Sequence, residues 1–279
     1  MAHSAYPYAI NTYSYTLNHS ARDCIWHLAS QGYTDFELMM YPGHCWPADV
    51  DAAERRQLSQ LLEERKLRIL TLNMPNIDLN VAGAAKEMRD YTRAILRRIV
   101  ELAGDLGVPG VVIGPGKANP LFPAPRERLI DYFYEALDEL TRLAERAGTR
   151  LLVENMPFAF LPDADGLMWA LDEYGNDKIG VVYDVANGFF IKEDLGEGLR
   201  RVKDRLALIH LSDTGLSVYR HDPVGEGEVP FEQIPGILRD IGYTQLPMLE
   251  IISVSPDEDI RDSIKKLSGM GWSDIAKAS

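Results

Sequence analysis

The sequence predicts an α/β fold in which eight parallel strands close into a (β/α)8 barrel, as one domain over residues 1–279. Short apolar runs alternate with longer amphipathic segments along the chain, and this alternation indicates parallel βαβ units. The runs are apolar at successive positions, which is typical of strands with both faces buried. Eight such units in 279 residues fit a barrel better than a doubly wound sheet, since barrels of about 250 residues commonly form one domain.

Each predicted strand is a short apolar run that ends at a polar residue or a turn. The predicted strands cover residues 8–11, 36–40, 67–73, 111–114, 150–154, 179–184, 206–210 and 248–252. No GxGxxG segment follows the first strand, so a dinucleotide-binding fold loses its usual support. The segment Gly114-Pro115-Gly116-Lys117 lacks the spacing of a P-loop, and we interpret it as the loop after the fourth strand, from which Lys117 can reach a pocket.

The predicted helices share apolar residues at helical spacing and recognisable ends. They cover residues 20–31, 49–65, 84–106, 126–147, 163–174, 194–202, 231–241 and 257–267. The strongest, residues 126–147, spaces Leu129, Phe133 and Leu137 on one face and ends before Gly148. The acidic start at Asp49 suits the positive end of a helix dipole.

Composition indicates an acidic, soluble globular protein. Hydrophobic residues make up 46% and charged residues 25% of the chain, and 29 basic against 42 acidic residues give a net charge of −13. This charge disfavours nucleic acid and anionic membranes as partners, because both attract clustered Lys and Arg. Cys24 and Cys45 are the only cysteines, residues 1–7 lack the pattern of a signal peptide, and no apolar run approaches about 20 residues. These features predict a cytoplasmic protein.

Four of the predicted strands end in a side chain that can bind a metal ion. The residues are Glu154, Asp184, His210 and Glu250. The active site of a barrel lies at the carboxyl ends of its strands, so we expect these side chains to meet there. A buried charge is costly unless it is compensated; hydrogen bonds or an ion pair could satisfy any one of them, whereas a divalent cation would serve all four. Oxygen and nitrogen ligands suit Mn2+, Mg2+, Co2+ or Zn2+, and the lack of thiolates disfavours a structural zinc site.

The segments around these residues resemble the xylose isomerase-like barrel superfamily, which includes sugar epimerases and isomerases, inosose dehydratase and endonuclease IV. The resemblance covers essentially the whole chain in strand order. The matching segments are residues 153–155, 183–187, 210–213, 220–227 and 249–251.

The resemblance implies one divalent metal ion, Mn2+ first, bound by the four strand-end residues. It also implies that Glu154 and Glu250 are catalytic. One glutamate would remove a proton next to a carbonyl through an enediolate, and the other would return a proton on the opposite face. The implied activity is a sugar isomerase or epimerase acting on a small-molecule carbohydrate, and analogy with relatives is compatible with a homo-oligomer.

Six further residues are candidates for binding the substrate. They are His44, Asn73, Lys117, Asn187, Arg220 and His221. His44 lies in the loop after the second strand, where a wall for a sugar ring and a packed surface loop are equally compatible with the sequence. Arg220 offers a fixed fork of donors to substrate oxygens. Glu37 lies within the second strand and could face either the pocket or a partner in the core.

Several departures from the family pattern keep other activities open. Asn187 stands where members often carry a histidine, and Met156 stands where xylose isomerase carries a lysine. The first alternative is a metal-dependent lyase or dehydratase that acts by β-elimination on a keto-sugar or keto-inositol, including keto-glycoside cleavage. An endonuclease IV-like phosphodiesterase is disfavoured because Tyr219 replaces the aspartate of its Asp-Arg-His loop. A non-catalytic sugar-binding subunit is a further alternative.

Overall fold

The computed structural model describes residues 6–74 and 78–277, and within them eight parallel strands close into a barrel in chain order. The predicted (β/α)8 architecture is therefore confirmed. The strands are β1 (Ala9–Asn11), β2 (Asp35–Met39), β3 (Arg68–Asn73), β4 (Gly110–Ile113), β5 (Arg150–Glu154), β6 (Gly180–Asp184), β7 (Leu206–Leu211) and β8 (Met248–Leu249). The sequence predicts no signal peptide in residues 1–7. Residues 1–5 of that segment lie outside the described ranges.

Helices connect the strands and form the outer layer of the barrel. They are α1 (Ala21–Ser30), α2 (Ala52–Arg65), α3 (Lys86–Leu106), α4 (Arg126–Ala147), α5 (Ala164–Tyr174), α6 (Val185–Phe190), α7 (Leu195–Val202), α8 (Ile234–Asp240) and α9 (Pro256–Gly269). Shorter 3-10 turns cover Tyr13–Tyr15, Phe231–Gln233 and Trp272–Lys277. In the part of the chain that the structure describes, no helix is long and apolar enough to cross a membrane.

The apolar core has two parts, as expected for strands buried on both faces. The larger part lies between the strands and the surrounding helices and includes Ile10, Phe36, Val111, Phe133 and Leu137. The smaller part forms a separate cluster of strand residues packed against one another. Its buried members are Ala9, Val112, Leu152, Val182, Leu208 and Met248. We interpret this cluster as the interior of the barrel, because its members are strand neighbours of residues in the larger core.

Strand pairing places the polar strand ends side by side at one rim. Asp184 of β6 pairs with His210 of β7, and Glu154 of β5 pairs with Val182 of β6. Strand β8 closes the barrel by pairing with both β7 and β1. The carboxyl ends of β5 to β8 therefore lie next to one another around a single opening.

Candidate metal centre and active site

The four strand-end side chains predicted to bind a metal ion meet in one buried cluster. One possible ligand atom from each of Glu154, Asp184, His210 and Glu250 lies within 4.8 Å of all the others. None of these residues is more than 4% exposed. Ligands on opposite sides of a cation such as Mg2+ stand about 4.2 Å apart, because each lies about 2.1 Å from the ion. The spacing and the donor set therefore fit one divalent cation of this size.

The His210 ring separates two groups of carboxylates. Its Nδ1 lies 2.9 Å from Glu250 Oε2, 3.3 Å from Glu154 Oε1 and 3.9 Å from Asp184 Oδ2. Its Nε2 faces the other way and lies 3.2 Å from Glu37 Oε1. That N–H does not align with a hydrogen-bond acceptor among the described residues, so the contact with Glu37 is mainly electrostatic. Nδ1 is thus the nitrogen that would bind a cation.

Glu37 is a fully buried carboxylate behind the cluster. It accepts hydrogen bonds from Thr71 Oγ1 at 2.7 Å and from the side-chain amides of Asn11 and Asn73 at 2.5 and 3.1 Å. The Asn11 amide also donates to Glu250 Oε1 at 3.1 Å, so it joins Glu37 to a predicted metal ligand. The geometry therefore favours a partner in the core for Glu37 over an orientation toward the pocket.

Asp184 uses its two carboxylate oxygens differently. Oδ1 accepts the backbone N–H of Asn187 at 2.7 Å and caps the first turn of α6. Oδ2 is buried and has no hydrogen-bond partner among the described residues. A buried carboxylate oxygen without a partner is costly, and a cation in the cluster would satisfy it.

The electrostatics of the cluster follow from burial and from mutual proximity. Burial raises the pKa of Glu154 and Glu250 to about 7 and that of Asp184 to about 6. Burial lowers the pKa of His210, but Glu37 and Glu250 outweigh it and hold the pKa well above its ordinary value. Burial also opposes ionisation of Glu37, yet His210 and the hydrogen bonds from Thr71 and Asn73 keep its pKa below the ordinary value.

A cavity of about 610 Å3 opens above the cluster. Of the residues predicted to act on or bind a substrate, most line this cavity. These are Asn73, Lys117, Glu154, Asn187, Arg220, His221 and Glu250. Asp184 and His210 lie in the cluster beneath them and are fully buried. The sequence thus predicted residues from β3 to β8 that the barrel brings to one opening.

His44 does not take the predicted place in the pocket wall. It is 4% exposed, and its ring nitrogens lie 2.7 Å from the carbonyl oxygen of His19 and 2.9 Å from Thr12 Oγ1. Both ring nitrogens therefore have partners within the protein, and His44 is not among the described residues that line the cavity. Its structural environment favours packing of the β1 and β2 loops over contact with a substrate.

A hydrogen-bonded chain of side chains runs along the cavity wall. The Asn187 amide nitrogen donates to the carbonyl oxygen of Asn155 at 2.8 Å, so its oxygen accepts from Tyr219 OH at 2.6 Å. The Tyr219 oxygen then accepts from Nε2–H of His221 at 2.7 Å. Nδ1 of His221 is left to accept from Ser212 Oγ at 2.9 Å. This network fixes the ring orientation of His221 and holds the Tyr219 hydroxyl at the cavity.

Tyr219 and Asn11 are parts of the site that sequence reasoning did not assign to it. In the sequence, Tyr219 directly precedes Arg220 and His221, and this position is the signal that places it on the same loop. Asn11 ends β1 just as the predicted ligands end their strands. Its position at the end of the first strand is thus the signal in the sequence that points to Asn11.

Several proteins are similar to this chain in sequence or in structure. An uncharacterised protein of Methanocaldococcus jannaschii is 24% identical over 217 residues, 75% of this chain and 71% of that protein. Fructoselysine 3-epimerase of Shigella flexneri is 20% identical over 247 residues, 87% of each chain. A solved structure described as a D-tagatose 3-epimerase-like protein superposes with a TM-score of 0.81 at 19% identity, covering 95% of this chain and 97% of that one.

The family assignment rests on a match that spans most of the barrel. Residues 27–270 match the family described as xylose isomerase-like TIM barrel, a range that runs from α1 into the segment after α9. It includes the strand ends that carry the buried acidic and histidine cluster and the loops that line the cavity. The chain therefore belongs to the xylose isomerase-like TIM barrel family.

Proposed function

We propose that this protein is a divalent-metal-dependent sugar epimerase or isomerase that moves a proton at a carbon next to a carbonyl. The observation that carries this proposal is a pair of buried glutamates, Glu154 and Glu250, which share a cation-sized cluster at the floor of a cavity. Two similar proteins are described as a fructoselysine 3-epimerase and a D-tagatose 3-epimerase-like protein, which supports a carbohydrate substrate.

The proposed reaction needs a base on one side of the substrate carbon and an acid on the other. Glu154 ends β5, and Glu250 follows β8, so β6 and β7 lie between the two glutamates on the barrel rim. A substrate held above Asp184 and His210 would have one carboxylate on each side. One carboxylate takes the proton, and the other returns a proton to the opposite face, which inverts the carbon.

A metal ion would be held by Glu154, Asp184, His210 Nδ1 and Glu250. When bound, a divalent cation supplies Lewis acidity, which lowers the cost of negative charge on the carbonyl oxygen. Mn2+ is the ion we propose first, and Mg2+, Co2+ and Zn2+ suit the same donors. The chain itself supplies hydrogen bonds at the wall, where Asn187, Tyr219 and His221 are held in a fixed orientation.

Elimination is a second candidate that one observation favours. Asn187 cannot act as a base, but the Tyr219 hydroxyl at the cavity is bonded to His221 Nε2. In an elimination the Tyr219 O–H would turn from Asn187 Oδ1 to the leaving oxygen and donate its proton there, and Nε2–H of His221 would restore a proton to the tyrosine oxygen. The same site would then act as a lyase or dehydratase on a keto-sugar or keto-inositol.

The test is metal content together with proton exchange in deuterated water. We expect about one divalent ion per chain, and incorporation of deuterium at a carbon next to the carbonyl in a panel of ketoses. The Glu154→Gln and Glu250→Gln variants should hold less metal and lose exchange. Glu193→Gln is a matched control, because Glu193 is partly buried against Tyr183 and Ala164 away from the cavity.

The products then distinguish the two candidates. An inverted or isomerised sugar of unchanged mass supports the epimerase or isomerase, whereas loss of water or of a glycosyl group supports the lyase. Protein that binds no divalent ion and exchanges no proton would contradict both and would leave a non-catalytic sugar-binding barrel.

A further inference from the structure

We propose that the outer half of the same cavity is a subsite for an apolar substituent, so that the preferred substrate is a sugar carrying an alkyl or aryl group. This inference rests on the proposed function, because it assigns the part of the substrate that lies above the two glutamates. It concerns side chains for which the proposed proton transfer has no use.

The cavity carries polar residues at the cluster, and part of its more exposed lining is apolar. Its buried lining residues include the polar Asn73, Glu154, Asn187 and Glu250, each at most 4% exposed, together with Met39 and Met74. Nearer the solvent, the lining includes Met156, Pro157, Phe158 and Ile252. The Phe158 side chain is 61% exposed and Ile252 is 41% exposed. Large apolar side chains that stay this exposed around a cavity commonly mark a ligand surface.

The apolar lining residues follow the proposed acid and base closely in the chain and line the same cavity. Phe158 lies four positions after Glu154, and Ile252 lies two positions after Glu250. The loops after β5 and β8 thus each contribute a glutamate to the floor and an apolar side chain to the upper wall. A substituent attached to a sugar between the glutamates would extend into the space between these two walls.

Both walls are held in place by contacts within the protein. The Phe158 ring packs edge-on against Tyr219, with 5.5 Å between ring centroids, and against Phe190 at 6.0 Å. The backbone N–H of Ile252 donates to the carbonyl oxygen of His221 at 2.8 Å. A preformed apolar wall binds a substituent without first paying the entropy of ordering itself.

The size of the cavity agrees with a substituted sugar. Pockets of roughly 300–1,000 Å3 hold drug-sized ligands, and this one has about 610 Å3. A free sugar presents hydroxyl groups and needs polar partners, which the floor and the charged lining residues Lys117, Arg220 and Asp222 supply. The side chains of Met156, Phe158 and Ile252 offer it none. An alkyl or aryl group gains affinity in proportion to the apolar area that it buries.

The proposal predicts a preference that calorimetry can measure on the Mn2+-loaded full chain. Methyl, butyl and phenyl β-D-glucopyranoside serve as non-reacting probes that share one sugar. We expect the butyl and phenyl glycosides to bind at least about tenfold more tightly than the methyl glycoside, since each fully buried methylene contributes about fourfold and butyl adds three of them. Phe158→Ser and, on the loop after β8, Ile252→Ser should each reduce that ratio while Mn2+ affinity stays at the wild-type value.

Phe122→Ser is the matched control. Phe122 is 88% exposed on the loop after β4 and is not among the described residues that line the cavity, so its replacement should leave the ratio unchanged. Equal affinity for the three probes, or no binding of any of them, overturns the proposal. It is also overturned if Phe158→Ser dissociates an oligomer on gel filtration and leaves the ratio unchanged, because the wall would then be a protein interface.

The two proposals fail in different ways. A protein that exchanges protons on free ketoses but shows no preference among the probes overturns the subsite and leaves the proposed function standing. Loss of Mn2+ binding and of exchange in the wild-type protein overturns both.

Discussion

Glu37 shows how a residue outside the cavity can act on the proposed metal site. It stands 3.2 Å from His210 Nε2, while Nδ1 of the same ring faces the cluster. Three side chains hold its carboxylate in place, and one of them, Asn11, also holds Glu250. A carboxylate behind a ligating histidine orients the ring and raises its basicity, so we expect Glu37 to strengthen metal binding.

The Glu37→Gln variant tests this role, because glutamine keeps the shape and removes the charge. We expect Mn2+ affinity, measured by competition with a chelator, to fall about 10- to 100-fold. Glu37→Asp should recover part of the loss, and the spectrum of bound Co2+ should change in Glu37→Gln. An unchanged affinity and an unchanged spectrum would show that Glu37 only fills space.

The sequence predicts which residues form the buried cluster more readily than it predicts the contacts that loop side chains make. Glu154, Asp184, His210 and Glu250 were recognisable because each ends an apolar run and a parallel barrel gathers such ends. The direction of a loop side chain has no comparable local signal. His44 therefore turned out to bind Thr12 and His19, in a way that depends on strands far apart in the chain.

At the scale of elements, the short helix α6 begins at a metal-site residue. Asp184 Oδ1 caps the helix, while Oδ2 remains for the cluster. Asparagine can cap equally well but is a poor metal ligand, whereas alanine does neither. The two substitutions therefore separate the structural contribution of this side chain from its contribution to the cluster.

For metal-free protein, Asp184→Asn should unfold at or above the wild-type temperature, because the pKa of this buried carboxyl is raised and its charge is unfavourable. Asp184→Ala should lose about 1 kcal/mol relative to Asp184→Asn, from the missing cap. Both variants should bind Mn2+ more weakly than the wild type. Thermal unfolding with and without Mn2+ measures these effects, and equal metal-free stability of the two variants would contradict the capping argument.

Most elements were predictable because their patterns are long and their ends are marked. Helix α4 and strand β5 have the predicted bounds. Gly148, at positive φ, ends the helix two residues before the strand begins. Helix α6 was missed because six residues that include Gly188 carry no helical periodicity. Strand β8 is shorter than predicted because the Ile252 N–H pairs with the loop residue His221 instead of a strand.

The whole molecule should respond to pH in a way that depends on bound metal. Glu154 and Glu250 have pKa values near 7 and Asp184 near 6, against ordinary values of 4.5 and 3.8. At these three carboxyl groups the folded state therefore holds more protons than the unfolded state between about pH 4 and 7. Their contribution to metal-free stability should fall as the pH rises through this window, because ionisation then costs more in the folded protein.

Bound metal should reverse this trend, since a cation needs the ionised ligands and binds more tightly as they lose protons. The measurement is the unfolding temperature at several pH values, after chelation and with saturating Mn2+. We expect the stabilisation by Mn2+ to grow from pH 5 to pH 8. An Mn2+ effect that is constant across this range would contradict titration of the cluster.

The order of the ligands along the chain has a consequence for how the protein matures. The four predicted ligands come from strands β5 to β8, and Asn11 of β1 reaches across to Glu250, the last of them. Synthesis proceeds from the N-terminus, so the cluster is incomplete until β8 and Glu250 have been made. A chain that stops before Glu250 lacks one of the four predicted ligands, and we expect it to bind the ion more weakly than a chain that includes β8.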